Sequence, residues 1–284
     1  MLAILSLLGI ALAGMALVPT THADPVDQPN PTESDIDQPL PVVPLDQVLS
    51  GTDGADEIYT GAAGDTLHGL GGDDILNGQA GDDIVSGGVG NDEVIGEAGN
   101  DLLSGNPGDD SLFGHIGDDT LIGGLGDDAL NAGDGVDQLF GGAGGDSLLG
   151  SFGDDALDGG AGQDVLHGGD GNDVLTGGTD DLRDYLNGGA GDDVLTGGAD
   201  DNLNGGDGAD LFALAAVAPG NRAATIEDYD DRQDSVVLYY SGAPPELSYE
   251  VTDDGVSLFA NGATVAEFPG LTGFDLRAVQ LIAA

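Results

Sequence analysis

From Gly51 to Thr176 the chain divides into fourteen nine-residue units without a gap, and four more begin at residues 177, 188, 197 and 205. The first of these four carries a two-residue insertion around Asp180–Arg183, and the unit from Gly197 to Asn204 is one residue short. Across all eighteen units the sixth position is Asp, the eighth is apolar, and the first is Gly except at Thr60 and Ala132. A strict short period means that each unit is one small structural element, unable to bury its own apolar residue, which must stack on its neighbours.

Each fixed position has a physical reading. Glycines at the first and fourth positions are expected to supply positive φ and close backbone approach in a tight turn. The apolar eighth position, from Ile58, Leu67 and Leu76 to Leu195, Leu203 and Phe212, suits a very short strand with its central side chain inward. If two units make one coil, strands alternate between two small parallel sheets, and the eighth-position residues fill a narrow core between them. The coils then stack at about 4.8 Å. The fold class expected is all-β: a right-handed parallel β-roll closed by a small C-terminal antiparallel β cap.

Stacking brings the sixth-position aspartates into two columns. One holds Asp56, Asp74, Asp92, Asp110, Asp128, Asp146, Asp164, Asp184 and Asp201; the other holds Asp65, Asp83, Asp101, Asp119, Asp137, Asp155, Asp173, Asp193 and Asp210. Carboxylates about 5 Å apart repel by roughly 1 kcal/mol in water and about 3 kcal/mol at an effective dielectric of 20. Fifth-position acids such as Asp73, Asp82, Asp109, Asp118, Asp127, Asp154 and Asp192 add to this. A hard divalent cation between successive turns would remove the repulsion. Carboxylate and carbonyl oxygens, without nitrogen or sulfur, favour calcium over magnesium, which demands stricter octahedral geometry. Eighteen turns split nine to a side leave about eight gaps per side, so roughly sixteen calcium ions are expected.

The units resemble the calcium-binding nonapeptide of RTX (haemolysin-type) proteins, Gly-Gly-x-Gly-x-Asp-x-U-x with U a large apolar residue. The match runs from residue 49 to residue 213. What the resemblance implies is a parallel β-roll that is unfolded without calcium and forms in extracellular calcium. It also implies that the sixth-position Asp is a side-chain ligand, with carbonyls of the Gly-rich turn completing the shell. The segment Ile226–Asp234 is similar to the acidic, aromatic stretch that often follows the last such repeat; there Asp228 and Asp234 would contribute to a terminal calcium site, and a plain surface turn is the competing reading.

The flanks are of different composition. Leu2–Val18 is apolar apart from Ser6, so residues 1–23 read as an export signal or membrane anchor, without the flanking Lys or Arg that would fix orientation. Residues 24–48 hold six prolines and six acidic residues and read as an extended linker. Residues 49–213 form the roll and 214–284 the cap. In the cap, Leu247–Thr252, Val256–Ala260 and Ala263–Phe268 read as strands joined by hairpin turns at Asp254-Gly255 and Asn261-Gly262. Asp275–Ala284 fits either a final strand or an uncleaved export signal.

Composition excludes several functions. With 53 acidic residues against four arginines the formal charge is −49, which repels nucleic acid and anionic membranes; membrane contact is expected only through the N-terminal segment. There is no cysteine, so no disulfide or thiolate metal site exists. The chain shows no His-Glu-x-x-His helix, no Gly-x-Ser-x-Gly elbow and no Lys-bearing phosphate loop. His68, His115 and His167 lie within repeats at ordinary surface positions. The expectation is a non-catalytic, exported, extracellular or surface-tethered structural or adhesive protein; the alternative is the repeat and cap region of a type I-secreted protein with an unrecognised hydrolytic activity. Tyr59, Ile95, Phe113 and Leu149, at the ninth position of odd-numbered units, would mark a broken apolar stripe where a cell-surface or protein partner could dock. A regular ice-binding row of Thr and Asn is absent at the third position.

Overall fold

A computed structural model describes residues 45–178, 180, 182–215 and 222–283. The apolar segment 1–23 and the linker as far as residue 44 lie outside the described residues. Among the described residues no helix is long and apolar enough to cross a membrane. The one helical element there is the 3-10 turn Leu276–Ala278.

The fold is an all-β parallel roll. Successive strands alternate between a twelve-stranded and a thirteen-stranded sheet, and each strand pairs with the one 18 residues away wherever the repeat is regular. Leu103, Leu121, Leu139 and Leu157 stand in adjacent register in one sheet; Leu112, Leu130 and Leu148 do so in the other. From Leu67 to Phe212 these eighth-position side chains are at most 2% exposed. They form one continuous core that extends through Ile226 and Val236 into an aromatic cluster of Tyr229, Phe268 and Phe274. Tyr229 meets Phe268 edge-on with ring centroids 5.1 Å apart, a favourable pairing for two quadrupoles.

The strands are longer than the repeat pattern implies. Most span six residues, from the seventh position of one unit to the third of the next, as in Gln138–Ala143. Only the Gly-x-Asp turn is left between them. The glycines also act differently from expectation. First-position Gly141 has no positive φ, but a Cβ on it would lie 2.6 Å from the carbonyl oxygen of Gly159 and would strike the Asp146 side chain. Fourth-position Gly144, at φ 140°, is left-handed as expected and packs against the Gly126 carbonyl of the coil before. The second left-handed residue of each regular unit is the second position, occupied by Gly in many units and by Leu70, Gln79, Glu97, Asn106, His115 or Ser151 in others.

The roll extends beyond the counted repeats at both ends. Val48–Ser50 already pairs with Thr66–His68, and Gln47 fills the slot that Asp occupies elsewhere. At the other end Ser235–Tyr240 continues one sheet, with Val236 beside Phe212, and Val279–Ala283 is its final parallel strand. Leu247–Val251, Gly255–Ala260 and Ala263–Pro269 form the expected antiparallel meander on the other sheet. The Asn261-Gly262 turn stands as read, both residues having positive φ. The first hairpin closes one residue earlier, because the Thr252 N–H donates to the Gly255 carbonyl and puts Asp253-Asp254 at the tip.

This packing separates the glycines by role. Gly141→Ala should destabilise the folded roll by about 1–3 kcal/mol through overpacking. Gly145→Ala, whose Cβ would meet nothing nearer than 3.3 Å, should stay within about 0.5 kcal/mol of wild type. Urea denaturation compares the two; equal costs would contradict the close approach at the first position.

Candidate metal centre

Each regular coil turns through Gly-x-Asp, and the sixth-position Asp side chain is held across the coil gap because its Oδ1 accepts the backbone N–H of the Asp one coil before. The Asp101 N–H donates to Asp119 Oδ1 at 2.8 Å, Asp119 to Asp137 at 2.7 Å, and Asp137 to Asp155 at 2.9 Å. One column runs in this way from Asp56 through Asp74, Asp92, Asp110, Asp128, Asp146, Asp164 and Asp184 to Asp201. The other begins at Gln47 and runs from Asp65 through Asp83, Asp101, Asp119, Asp137, Asp155, Asp173, Asp193 and Asp210 to Asp234. From Asp65 to Asp210 every member of both columns is at most 3% exposed.

The second carboxylate oxygen divides the columns into interior and ends. In thirteen interior residues, Asp74, Asp83, Asp92, Asp101, Asp110, Asp119, Asp128, Asp137, Asp146, Asp155, Asp164, Asp173 and Asp193, Oδ2 is buried without a hydrogen-bond partner. At the ends a backbone N–H closes it: Thr52 on Asp56 at 2.6 Å, Gly61 on Asp65 at 3.3 Å, Gly198 on Asp201 at 2.6 Å and Asp230 on Asp234 at 2.7 Å. An unpartnered buried carboxylate oxygen costs on the order of 1–3 kcal/mol, more when charged. Thirteen in two rows form a site for a positive species.

Hard oxygen donors lie near these orphans: Asp146 Oδ2 and the Gly159 carbonyl both crowd the Cβ position of Gly141. The carbonyls of first- and fourth-position glycines face the neighbouring coil, as Gly159 faces Gly141 and Gly126 faces Gly144. Among the described residues no three His, Cys, Asp or Glu side chains converge on one point. The donor set is therefore one or two carboxylates with turn carbonyls, an all-oxygen set that fits calcium in charge and flexibility. The interior aspartates could hold such ions in the gaps between turns.

Two sequence readings gain detail here. Fifth-position acids are more than added charge: Asp73, Asn91, Asp109 and Asp127 each accept the N–H of the residue one coil later, an exposed ladder running opposite to the buried one. Asp228 accepts the Gly205 and Gly206 N–H groups with both oxygens, at 2.9 and 2.6 Å, closing the sheet end after the last repeat. Gln47 and Asp180, which accepts the Gly162 N–H in place of a strand carbonyl, were not singled out in the sequence. Only their register with Asp65 and Gly162 reveals them. The ninth-position stripe stands on one sheet but is interrupted by Asn77 and Asn131, with Tyr59 and Leu149 exposed.

Burial raises the pKa values of most column aspartates. Desolvation pushes Asp119, Asp128, Asp155, Asp184 and Asp193 up to about 7, and Asp83, Asp92, Asp101 and Asp146 to about 6, against the single backbone hydrogen bond that favours the anion. For most of these, neighbouring column carboxylates push the same way, as Asp101 and Asp137 do on Asp119. Asp110, Asp137, Asp164, Asp173, Asp201, Asp210 and Asp234 are also raised, for the same first cause.

A buried, periodic double row of carboxylates on stacked nine-residue units defines a calcium-binding β-roll protein. The family model described as RTX calcium-binding nonapeptide repeat matches residues 50–212 in overlapping segments, more than half of the chain. The chain belongs to that family. No curated protein matches it. Among solved structures it is similar to the AlgE6R3 subunit of the Azotobacter vinelandii mannuronan C5-epimerase, with 26% identity over 48% of this chain and 76% of that one. The TM-score is 0.27, too low to carry an argument.

Without a cation, the column carboxyls with raised pKa bind protons more tightly when folded than when unfolded, where they titrate near 3.9. Their contribution to stability is then full below about pH 4 and is lost as pH rises through 6 to 7. Calcium-free protein should therefore gain β-structure by circular dichroism when acidified from pH 8 toward pH 5; a signal flat with pH would mean that column charge does not oppose stacking.

Proposed function

We propose that this protein is an extracellular structural or adhesive repeat protein whose roll is assembled by calcium bound between its turns. The thirteen buried, unpartnered aspartate oxygens carry this reading. The interior aspartates act as ligands, with carbonyls of the glycine turns beside them, and Asp234, whose two oxygens accept the Asp210 and Asp230 N–H groups, closes one column. Asp228, with both oxygens held by backbone N–H groups, acts as a closing carboxylate at the end of the sheet. The ion count follows the interior oxygens more closely than the number of turns.

Calcium bound to the folded chain alone adds about 2.7 kcal/mol per site at a hundredfold excess over Kd. That nearly offsets the roughly 3 kcal/mol of repulsion between adjacent carboxylates at an effective dielectric of 20. Binding free energy is then folding free energy, and the roll orders where calcium is abundant, outside the cell. Export of the family's members and the apolar N-terminal segment support that location. The outer faces of the two sheets would present the partner surface, and no catalytic constellation is invoked.

Far-UV circular dichroism with calcium and magnesium tests this. The expected result is a cooperative gain of β signal at sub-millimolar to millimolar calcium and little with magnesium; full β signal in chelator at neutral pH, unchanged by either ion, would refute it. Asp119→Ala should cost about 1–3 kcal/mol of calcium-loaded stability through loss of a buried hydrogen bond and a ligand. Asp127→Ala, on the exposed ladder, should cost less than about 1 kcal/mol. Denaturation at saturating calcium distinguishes them, and equal effects would remove the special role of the sixth position.

A further inference from the structure

Where the repeat loses its regularity, the chain supplies its own cation. The insertion before Asp184 places Arg183 at the fifth position, on the same side of the roll as the short turn ending in Asp201. The Arg183 guanidinium crosses the gap between these coils, with Nε 3.0 Å from the Asp200 carbonyl oxygen and Nη2 2.5 Å from Asp200 Oδ1. Arg222 reaches the same carboxylate at 3.5 Å. In the regular gaps on this side, the fifth position carries Asp73, Asn91, Asp109, Asp127, Gly145 and Gln163 in turn, none of them a cation.

The buried half of this gap also differs. Asp201 accepts the Asp184 N–H on Oδ1 and the Gly198 N–H on Oδ2, so neither oxygen is an orphan. The turn is one residue short, and Asp200 takes a left-handed φ of 75°. The next slot in the column holds Ala224, fully buried, so no carboxylate follows. Asp200 itself is held below the usual carboxylate range by the Arg183 hydrogen bond, opposite to the interior aspartates. Two features thus set this gap apart from the regular ones before it: a fixed positive charge across it and a carboxylate with both oxygens satisfied.

We propose that Arg183 is the built-in counter-cation of the last gap in this column, and that the gap between Asp184 and Asp201 takes no calcium while the regular gaps before it do. This rests on the calcium reading above. It makes the ladder asymmetric: the column containing Asp193 continues to Asp234, whereas the other is ended by a guanidinium.

Anomalous scattering from crystals of the calcium-loaded full chain, soaked with terbium, tests it on the wild-type protein. The expected result is ion density in the gaps from Asp74 to Asp164 and none between Asp184 and Asp201; a peak there would overturn the proposal. Absence of ions everywhere would remove the calcium reading and this inference together. Arg183→Ala adds a second readout, by native mass spectrometry and hydrogen exchange at saturating calcium. It should either bind one more ion than wild type or lose at least about tenfold protection at Tyr185–Asn187 and Asn202–Asn204. Neither change, with the remaining ions in place, would show that Arg183 is a plain surface residue.

Discussion

The rest of the roll depends on a carboxylate that is both tie and obstacle. Each interior aspartate joins two coils by accepting a backbone N–H through Oδ1, a hydrogen bond of net worth about 0.5–1.5 kcal/mol. The same group leaves Oδ2 buried and a like charge one coil away, repelling by roughly 3 kcal/mol at an effective dielectric of 20. The obstacle outweighs the tie in every interior coil. The leucine column favours stacking, but a core one side chain wide contributes only about 1.5–3 kcal/mol per buried residue against the entropy of ordering nine residues per unit. In a coil built in this way, neutralising the carboxylates, by proton or by cation, would remove the main repulsion that opposes stacking.

The ends of the columns solve the same problem without an ion. Thr52, Gly61, Gly198 and Asp230 turn an N–H toward the carboxylate oxygen that is orphaned elsewhere. They do so where a column stops, Asp65 lying beside Gln47 and Asp201 beside Ala224 rather than beside a further carboxylate. Gln47, an uncharged residue, takes the slot before Asp65 and keeps the backbone contact without the charge. At the C-terminal end, Asp228, the aromatic cluster and the meander cover the last coil of the thirteen-stranded sheet, leaving Leu247–Val251 as its edge strand. The interior is dependent and the boundaries are self-sufficient, as expected of a stacked array held by nearest-neighbour contacts.

The period made most of the fold legible from residues alone. An unbroken apolar eighth position and an unbroken Asp at the sixth require two facing sheets and two carboxylate columns, and the dipeptide Asn261-Gly262 locates a hairpin. What was not legible depends on the residue 18 positions away. First-position glycine is needed because the Asp146 side chain and the Gly159 carbonyl occupy the space of a Cβ at Gly141, which no local rule about turns reveals. The slot of Gln47, the substitution of Asp180 for a strand carbonyl and the double acceptance by Asp228 are likewise matters of register. Sequence shows which residues repeat; stacking shows which of their atoms are left without a partner.

The placement of positive charge follows from this balance. The chain has four arginines and no lysine, and the first of them is Arg183. All four pair with aspartate: Arg183 and Arg222 with Asp200, Arg232 with Asp230, Arg277 with Asp275. None lies in the fourteen regular units from Gly51 to Thr176. An arginine there would compensate part of the column charge permanently. Keeping the regular units free of fixed cations leaves their column charge uncompensated by the chain itself. Fixed cations stand at the irregular end, where the last turn and the cap must close whatever the occupancy of the gaps before them.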